Sequence, residues 1–573
     1  MRQAPDVSIA IIGSGGAGAL TAGNFLLEAA CAAGWHGLLT RSVGPQIRGG
    51  EAAALIRLAQ DPVECAPDHF DLLIAIDWLN AGRFEAEIPL GPQSLVVGDP
   101  EGGAVPPGIA ASGARLVEIP MKALAKALPE GRANMIALGI AAKLLGLGAD
   151  VLLGVMDKRL AEKGAVAIAA SRAGLEAGSK AAAKLDLGVQ SRPATPGAAK
   201  RWLISGNEAT GLGAVRGGIR FAAAYPITPA TEILEWLAPN LARIGGALVQ
   251  AEDELASVNM IIGGSYGGTP SLTATSGPGL SLMIEAIGLA TASEIPIVVV
   301  DVMRGGPSTG IPTKSEQADL NLAVYGLHGD APHLVLAPQS VADCLFTTQW
   351  AVFLAETLQS PSIVLSDQFM GQSRAAVERP ADMAFIGQRL RATNLNGGYR
   401  RYALGGAGVS AMAVPGTSGG QYTADGLTHT ERGVPTSSAA EHCAQLDKRR
   451  DKLESFSYGE HWARIEGDGD LAVVTWGSLT GAAREAISRA RADGIGARLL
   501  APRLLAPVRP AAFARALDGA RRVLVVEQSH GAQFHRYLRA HYELPGEVRV
   551  LHRPGPLPIR AGEIHQQIRS WSA

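Results

Sequence analysis

An α/β protein of several domains, with parallel sheets covered by helices, is predicted by three features of this chain. Short apolar strands alternate with Ala/Leu-rich helical stretches along most of its 573 residues. Glycine is abundant, at 70 residues, whereas aromatic residues make up 5% and hydrophobic residues 47% of the chain. Polar and glycine-rich turns recur where strands end, the position at which open parallel sheets bind ligands. At about 150 residues per domain, the length accommodates three or four domains.

The first element is "SIAIIGSGGAGALTAG", residues 8–23. An apolar strand leads into Gly13, Gly15 and Gly18 in G-x-G-x-x-G spacing, and the segment from Ala19 to Ala33 reads as a helix. Such a turn can cradle a pyrophosphate on a helix N-terminus. A dinucleotide site would also need an acid about 20 residues later to hold a ribose hydroxyl. In "GLLTRSVGPQIRGGEA" the first charged residue is Arg41, and no acid precedes Glu51. Arg41 suits a 2′-phosphate, so an NADP- or FAD-linked dehydrogenase stands as an alternative to a purely structural βα turn.

Further strands in the first region, residues 1–187, are "HFDLLIAI", "SLVVG" and "ARLVEIP", with helices such as "ANMIALGIAAKLLG". Residues 188–200, "GVQSRPATPGAAK", break every period and read as a linker. A second region, 201–380, opens with "RWLISG" and continues through "GALVQAE", "SLTATSG", "IPIVVVDVM", "LVLAP" and "SIVLSDQ". An irregular connecting segment rich in Gly, Thr, His and charge occupies 381–467, a length that points to function or to a bound partner. His429, Arg432 and His442 within it are either surface polar residues or groups that close over a site. The third region, 468–573, is again α/β, with strands "LAVVTWGS", "GARLLAP", "RRVLVVEQS" and "VRVLHRP".

Several functions are excluded by composition. A formal net charge of −2 offers no attraction to nucleic acid or an anionic membrane. No apolar run approaches 18 residues, and no signal peptide is evident, so a cytoplasmic protein is expected. Cys31, Cys65, Cys344 and Cys443 are far apart and form no C-x-x-C pair. This chain is therefore not expected to ligate an iron–sulfur cluster or a structural metal.

The candidate chemistry lies in the second region. Its turns are "GNEATG" (206–211), "YPITPAT" (225–231), "QAEDE", "TATSGPG" (273–279) and "DVMRGGPSTGIPTKSEQADL". Thr228 before Pro229 fits a helix N-cap followed by an N1 proline, and equally an anion-receiving hydroxyl. Glu252, Asp253 and Glu254 either complement a helix dipole or place one acid in an apolar pocket, where its pKa would rise. Arg304, beside paired glycines at a strand end, is suited to clamping an anion, and Lys314 follows in the same loop.

Together, "GNEA", "YPITPAT", "QAEDE", "TATSGPG" and "RGGPSTGIPTKSEQ" resemble the α subunit of the 2-oxoacid:ferredoxin oxidoreductases. "IIGSGGAGALTAG" with "GPQIRGGEA" is similar to their γ domain, here fused ahead of α. "VVTWGS" and "VVEQSHGAQF" resemble their transketolase C-terminal-like domain. The fusion and the "PTKSEQ" loop are most similar to the 2-oxoglutarate-acting branch. The resemblance implies a γ domain over 1–187, a pyrimidine-binding thiamine diphosphate domain over 201–380 and a transketolase C-terminal-like domain over 468–573.

The implied activity is reversible, CoA-dependent oxidative decarboxylation of 2-oxoglutarate to succinyl-CoA and CO2, with electrons passing to ferredoxin. Run in reverse, it is a CO2-fixing step of the reductive TCA cycle. In the family, thiamine diphosphate lies between α and β subunits. The β subunit holds its diphosphate with Mg2+ and carries a 4Fe–4S cluster, and an α2β2 heterotetramer is implied. The only "GDG", Gly467 to Gly469, leads straight into a strand and lacks the asparagine such a diphosphate site needs.

Residue by residue, Glu254 aligns with the glutamate that hydrogen-bonds the pyrimidine N1′. Pro226, Ile227, Thr228, Ser276, Gly277 and Pro278 align with the cofactor pocket. Thr228 and Arg304 align with groups that hold the substrate 1-carboxylate. Lys314 and Arg216 are candidates for the distal carboxylate, and Arg48, Gly49 and Gly50 for CoA contact. Pyruvate or branched-chain 2-oxoacids are alternative substrates, and a non-catalytic scaffold subunit is an alternative role.

Overall fold

The computed structural model describes residues 2–4, 6–44, 50–191, 201–393, 395 and 397–572. They form two compact units. One combines Met1–Ser205 with Gln372–Ala381 and Arg560–Gly562; the other combines Gly206–Gly371 with Asp382–Ile559 and Glu563–Ala573.

The first unit is built on an eight-stranded sheet. Its order is Arg115–Glu118, Leu95–Gly98, Leu72–Ala75, Asp6–Gly13, Ala52–Ala59, His36–Val43, Arg374–Val377 and Trp202–Ser205. The strand Asp6–Gly13 is buried from Val7 onward, which is why it reads as a continuous apolar run. The helix Ala19–Ala32 follows it, as the sequence predicts, and buries Phe25, Leu26, Ala29 and Ala30.

The alternation of strand and helix predicts a parallel sheet in this region, and Asp6–Gly13, Leu72–Ala75, Leu95–Gly98 and Arg115–Glu118 do pair in parallel, while the other half of the sheet is antiparallel. Ala52–Ala59 runs antiparallel between Asp6–Gly13 and His36–Val43 and pairs with both. Only residues 44–51 join His36–Val43 to Ala52–Ala59, too few for the crossover that a parallel pair needs, so the second strand pairs antiparallel. The strand of "RWLISG" is also reassigned. Trp202–Ser205 is an edge strand of this first sheet, antiparallel to Arg374–Val377. Its partner lies far along the chain, and no local pattern reveals that pairing.

The second unit holds two sheets. A seven-stranded sheet has the order Ala247–Gln250, Phe221–Ala224, Ser271–Thr275, Val298–Met303, Ser362–Asp367, Leu334–Leu336 and Leu504–Ala506. It is parallel except for the last strand. Phe221–Ala224 is missed by the sequence reading, because three alanines after one aromatic carry little strand signal. A five-stranded sheet has the order Ala463–Glu466, Ala497–Pro502, Leu471–Val474, Arg522–Glu527 and Glu547–His552, and only its first strand is antiparallel. Both sheets feed one core, which includes Val299, Val300, Leu336, Val474 and Val525.

Residues 381–467 are less irregular than the sequence suggests. They contain the helix Ala439–Glu454, capped by Ser438, and the strand Ala463–Glu466. Among the described residues from 382 to 438 there is no helix or strand beyond isolated bridges joining Arg391 to Met412 and His429 to Pro435. A buried charge cluster holds this stretch. The fully buried Glu294 carboxylate accepts from Lys448 Nζ at 2.8 Å and Lys452 Nζ at 3.1 Å. Arg401 Nη2 donates to the Glu294 carbonyl at 2.7 Å.

Burial alone would raise the Glu294 carboxyl, but Lys452, Lys448 and Arg401 outweigh it and hold it at about 2, against 4.5. Burial also lowers both lysines, Lys452 to about 8, because one carboxylate does not compensate two desolvated ammonium groups. Nearby, His429 stacks on Tyr402 at 4.8 Å and His442 Nδ1 bonds Thr428 Oγ1 at 2.8 Å. His429 is thus buried within the segment, and His442 is exposed.

Glu294→Gln is expected to lower stability by about 3–5 kcal/mol, the usual cost of leaving buried partner charges unpaired. Chemical denaturation at neutral pH measures the loss. The wild-type contribution is fully present above the ordinary carboxyl value of 4.5 and is lost as pH falls toward about 2. The wild-type and variant midpoints should therefore converge across that window.

Candidate active site

Parallel pairing puts the carboxyl ends of Ala247–Gln250, Phe221–Ala224, Ser271–Thr275 and Val298–Met303 side by side. The turns after them, "QAEDE", "YPITPAT", "TSGPG" and "RGG", therefore share one edge of the sheet.

The three acids of "QAEDE" separate by function. Glu252 and Asp253 are exposed, and Asp253 caps the helix Glu254–Tyr266 by accepting from Ala256 N at 2.7 Å. Glu254 is only 7% exposed. Among the described residues none hydrogen-bonds to its carboxylate. It lies against Gly279, where a Cβ would stand 2.7 Å from Glu254 Cγ and 2.1 Å from Thr275 Oγ1. Any larger residue at 279 would displace the acid.

Thr228 is not the helix cap that the sequence suggests. The next helix is Thr231–Ala242, with Ala230 at its N-cap, and Thr231 N bonds back to Ile227 O at 3.1 Å. Asn207 of "GNEATG" steadies this turn, donating from Nδ2 to Pro229 O at 2.9 Å and to Glu232 Oε2 at 2.8 Å. Arg304 Nη1 donates to the Thr228 carbonyl at 2.6 Å, which joins the "YPITP" and "RGG" turns directly. Ser276, fully buried at the N-cap of Gly277–Ala292, has no partner for its Oγ.

A cavity of about 880 Å³ opens at this edge, with Gly277, Pro278, Arg304, Glu316, Asp319 and His530 in its wall. Burial raises the Glu316 carboxyl, opposed in part by the Gly555 amide and His530. The "KSEQ" loop is fastened to the five-stranded sheet. Gln317 N donates to Gln528 O and Gln528 N to Gln317 Oε1, each at 2.8 Å, while Gln317 Nε2 donates to Trp476 O at 2.9 Å. The third region thus shapes a site whose main motifs lie in the second.

The sequence reading missed Asp301, Glu316, Gln317, Asp319 and Gln528. An acid within a strand or at a helix start carries no distinguishing local pattern.

Other predicted residues lie elsewhere. Arg216, in the last turn of Gly206–Gly217, pairs with Asp382 at 3.1 Å and does not line the cavity. The Lys314 carbonyl accepts from Gly305 N at 3.0 Å and closes the loop, and its residue is also absent from the cavity wall. Arg48 and Gly49 lie outside the described residues. Gly50 precedes Glu51, whose buried carboxylate accepts from Asn80 Nδ2 at 3.3 Å and also from Arg83.

The glycine turn of the first unit meets a carboxylate of its own chain. Asp77 Oδ2 accepts from Ser14 N at 3.0 Å and Ser14 Oγ at 2.7 Å. Arg41 Nε donates to Gln372 Oε1 at 3.0 Å. The antiparallel strand Ala52–Ala59 also separates the two strands that a dinucleotide fold sets side by side. These observations oppose the dehydrogenase alternative.

Residues 212–448 match the family described as pyruvate flavodoxin/ferredoxin oxidoreductase, thiamine diP-bdg, and residues 8–181 match pyruvate ferredoxin/flavodoxin oxidoreductase. The 2-oxoglutarate synthase subunit KorA of Methanothermobacter marburgensis is 37% identical over 375 residues, covering 64% of this chain and 96% of the relative. The chain belongs to the 2-oxoacid:ferredoxin oxidoreductase family. The corresponding subunit of Archaeoglobus fulgidus is 38% identical over 329 residues, 57% of this chain and 88% of the relative. The 2-oxoglutarate:ferredoxin oxidoreductase from Magnetococcus marinus, solved with 2-oxoglutarate, coenzyme A and succinyl-CoA bound, superposes with a TM-score of 0.91 at 36% identity, over 99% of each chain.

The residues present in this 2-oxoacid:ferredoxin oxidoreductase chain fit the pyrimidine of thiamine diphosphate. Glu254 is buried and, among the described residues, neither its carboxylate nor Ser276 Oγ has a partner, and Gly279 leaves Glu254 its space. A ring nitrogen that shares a proton with the carboxylate, or accepts from the hydroxyl, and an exocyclic amine that donates would satisfy such groups. Among the described residues no group of three or more His, Cys, Asp or Glu side chains is placed to hold a metal ion. Among the same residues no helix is long and apolar enough to cross a membrane.

Proposed function

We propose that this chain is the γα subunit of a thiamine-dependent 2-oxoglutarate:ferredoxin oxidoreductase, active together with a β subunit. The reaction converts 2-oxoglutarate, CoA and two oxidised ferredoxins into succinyl-CoA, CO2, two reduced ferredoxins and a proton. The observation that carries this reading is buried Glu254, whose carboxylate has no partner among the described residues, within the segment that matches the thiamine-diphosphate-binding family. Thiamine diphosphate, when bound, supplies the electron sink that lets CO2 leave from the 2-oxoacid.

In this reading Glu254 hydrogen-bonds the pyrimidine N1′ from a largely buried position, where such a bond is stronger than in water. Pro226, Ile227, Thr228, Ser276, Gly277 and Pro278 form the walls around that ring. Arg304 and Thr228, already tied by the 2.6 Å bond, orient the substrate 1-carboxylate. Arg304 Nε has no partner among the described residues, which leaves donor capacity on the guanidinium. Lys314 is retained as a candidate for the distal carboxylate. Arg216 is engaged by Asp382 and is not retained. Arg48, Gly49 and Gly50 are retained for CoA contact. The β subunit would bring the 4Fe–4S cluster and hold the diphosphate with Mg2+ in a cytoplasmic α2β2 assembly that delivers electrons to ferredoxin.

The test is anaerobic co-purification with the product of the adjacent gene, followed by CoA-dependent reduction of a viologen dye. Strong reduction with 2-oxoglutarate and little with pyruvate or branched-chain 2-oxoacids is expected. A complex shown to hold thiamine diphosphate and cluster, yet inert toward every 2-oxoacid, would overturn the reading.

A further inference from the structure

Behind Arg304 lies a pair of carboxyl groups that no step above uses. Asp301 is fully buried in the strand Val298–Met303. Asp319 stands at the start of the helix Leu320–Tyr325, on the cavity wall, without capping that helix by its side chain. The two carboxyls face each other. Among the described residues no donor reaches either Asp301 oxygen or Asp319 Oδ2. Gly277 closes the other side, since a Cβ there would stand 2.6 Å from Asp319 Oδ2.

Two ionised carboxylates cannot share such a place, because each would bury a charge against a like charge with no N–H or O–H to receive. One proton resolves both problems: the protonated carboxyl donates to its neighbour. Burial pushes both groups up; Asp319 raises Asp301 further against Arg304, whereas for Asp319 the bond from Asp301 and the charge of Arg304 oppose burial and Glu316 without cancelling them. Arg304 is itself 6% exposed. Burial lowers its guanidinium, while Asp319 and Asp301 pull the other way, and its Nε remains without a partner. Glu316, which faces Asp319, in turn faces His530 and the Gly555 amide.

We propose that Asp301 and Asp319 hold one proton between them and act as a positioning pair for Arg304, setting how its guanidinium is presented to the 1-carboxylate of the 2-oxoacid. The proposal rests on the reading of Arg304 given above. With one proton the pair carries a single negative charge against one guanidinium, and Arg304 keeps donors free for the substrate. Without that proton the pair draws Arg304 inward and adds repulsion toward an anionic substrate. Oxoacid binding should therefore weaken on the alkaline side.

Asp319→Asn tests this, because its amide donates to Asp301 and preserves the bond without a titrating proton. In the assembled enzyme, wild-type kcat/KM for the oxoacid should fall on the alkaline side chiefly through KM. Asp319→Asn should lose that limb while keeping activity within about tenfold at the optimum. Independently of turnover, the infrared stretch of a protonated carboxyl should be present in wild type and absent from Asp319→Asn. Asp319→Ala, which strips Asp301 of its donor, should raise KM by about tenfold or more.

An Asp319→Asn profile and carboxyl band identical to wild type would overturn the proposal, as would a loss confined to kcat in Asp319→Ala. If the wild-type complex turned over no 2-oxoacid, the functional reading would fail instead, and the infrared comparison would still decide whether the proton is shared.

Discussion

Glu254→Ala is expected to lower turnover of the assembled enzyme by about 10²–10⁴-fold, the range contributed by a positioned acid–base group. Glu254 is 7% exposed and its carboxylate has no hydrogen-bond partner among the described residues, so its removal breaks no hydrogen bond among them. A scaffold role would leave turnover intact, because the helix is capped by Asp253 through Ala256 N and not by Glu254. Glu254→Gln serves as the control for shape: it keeps the side-chain volume against Gly279 but cannot take up or release a proton. Assembly with the β subunit should survive both substitutions, as judged by size-exclusion chromatography. A loss below about tenfold in Glu254→Ala would reject the catalytic assignment.

Arg304→Ala is expected to lower kcat/KM for 2-oxoacids by roughly 30- to 5,000-fold, corresponding to about 2–5 kcal/mol for truncating one partner of a desolvated charge pair. The size of the effect follows from the setting: Arg304 is 6% exposed and faces two carboxyls that would be left without its opposing charge. Arg304→Lys should rescue little, since an ammonium cannot reproduce the planar fork that holds both Thr228 O and a carboxylate. The loss should be alike for 2-oxoglutarate and for pyruvate, because Arg304 is assigned to the end of the molecule they share. Steady-state kinetics with both substrates check this, and a loss confined to 2-oxoglutarate would move Arg304 to the distal carboxylate.

Much of the site was legible because its pieces are turns at strand ends, where glycine, proline and charge stand out against apolar runs. "QAEDE" and "TATSGPG" announced themselves in this way, and Gly279 beside Glu254 explains why the second motif needs its last glycine. The glycine turn at Gly13 was equally conspicuous and pointed two ways. Only the antiparallel strand Ala52–Ala59 and the Asp77 carboxylate at Ser14 distinguish it from a dinucleotide site. Neither is local, so the spacing of the motif could not contain them.

The amino-acid sequence by itself determined the α/β class, the alternation of strands and helices, the succession of strand-end motifs and the three acids among which Glu254 is found. These depend on side-chain period and on turn chemistry, which act over a few residues. Only the tertiary structure decided that Trp202–Ser205 belongs to the first sheet, that Arg216 is spent on Asp382, that Gln317 is clamped by Gln528 and that Asp301 meets Asp319. Each of these is a pairing whose free energy exists only when distant segments are brought into contact, so no stretch of sequence carries it alone.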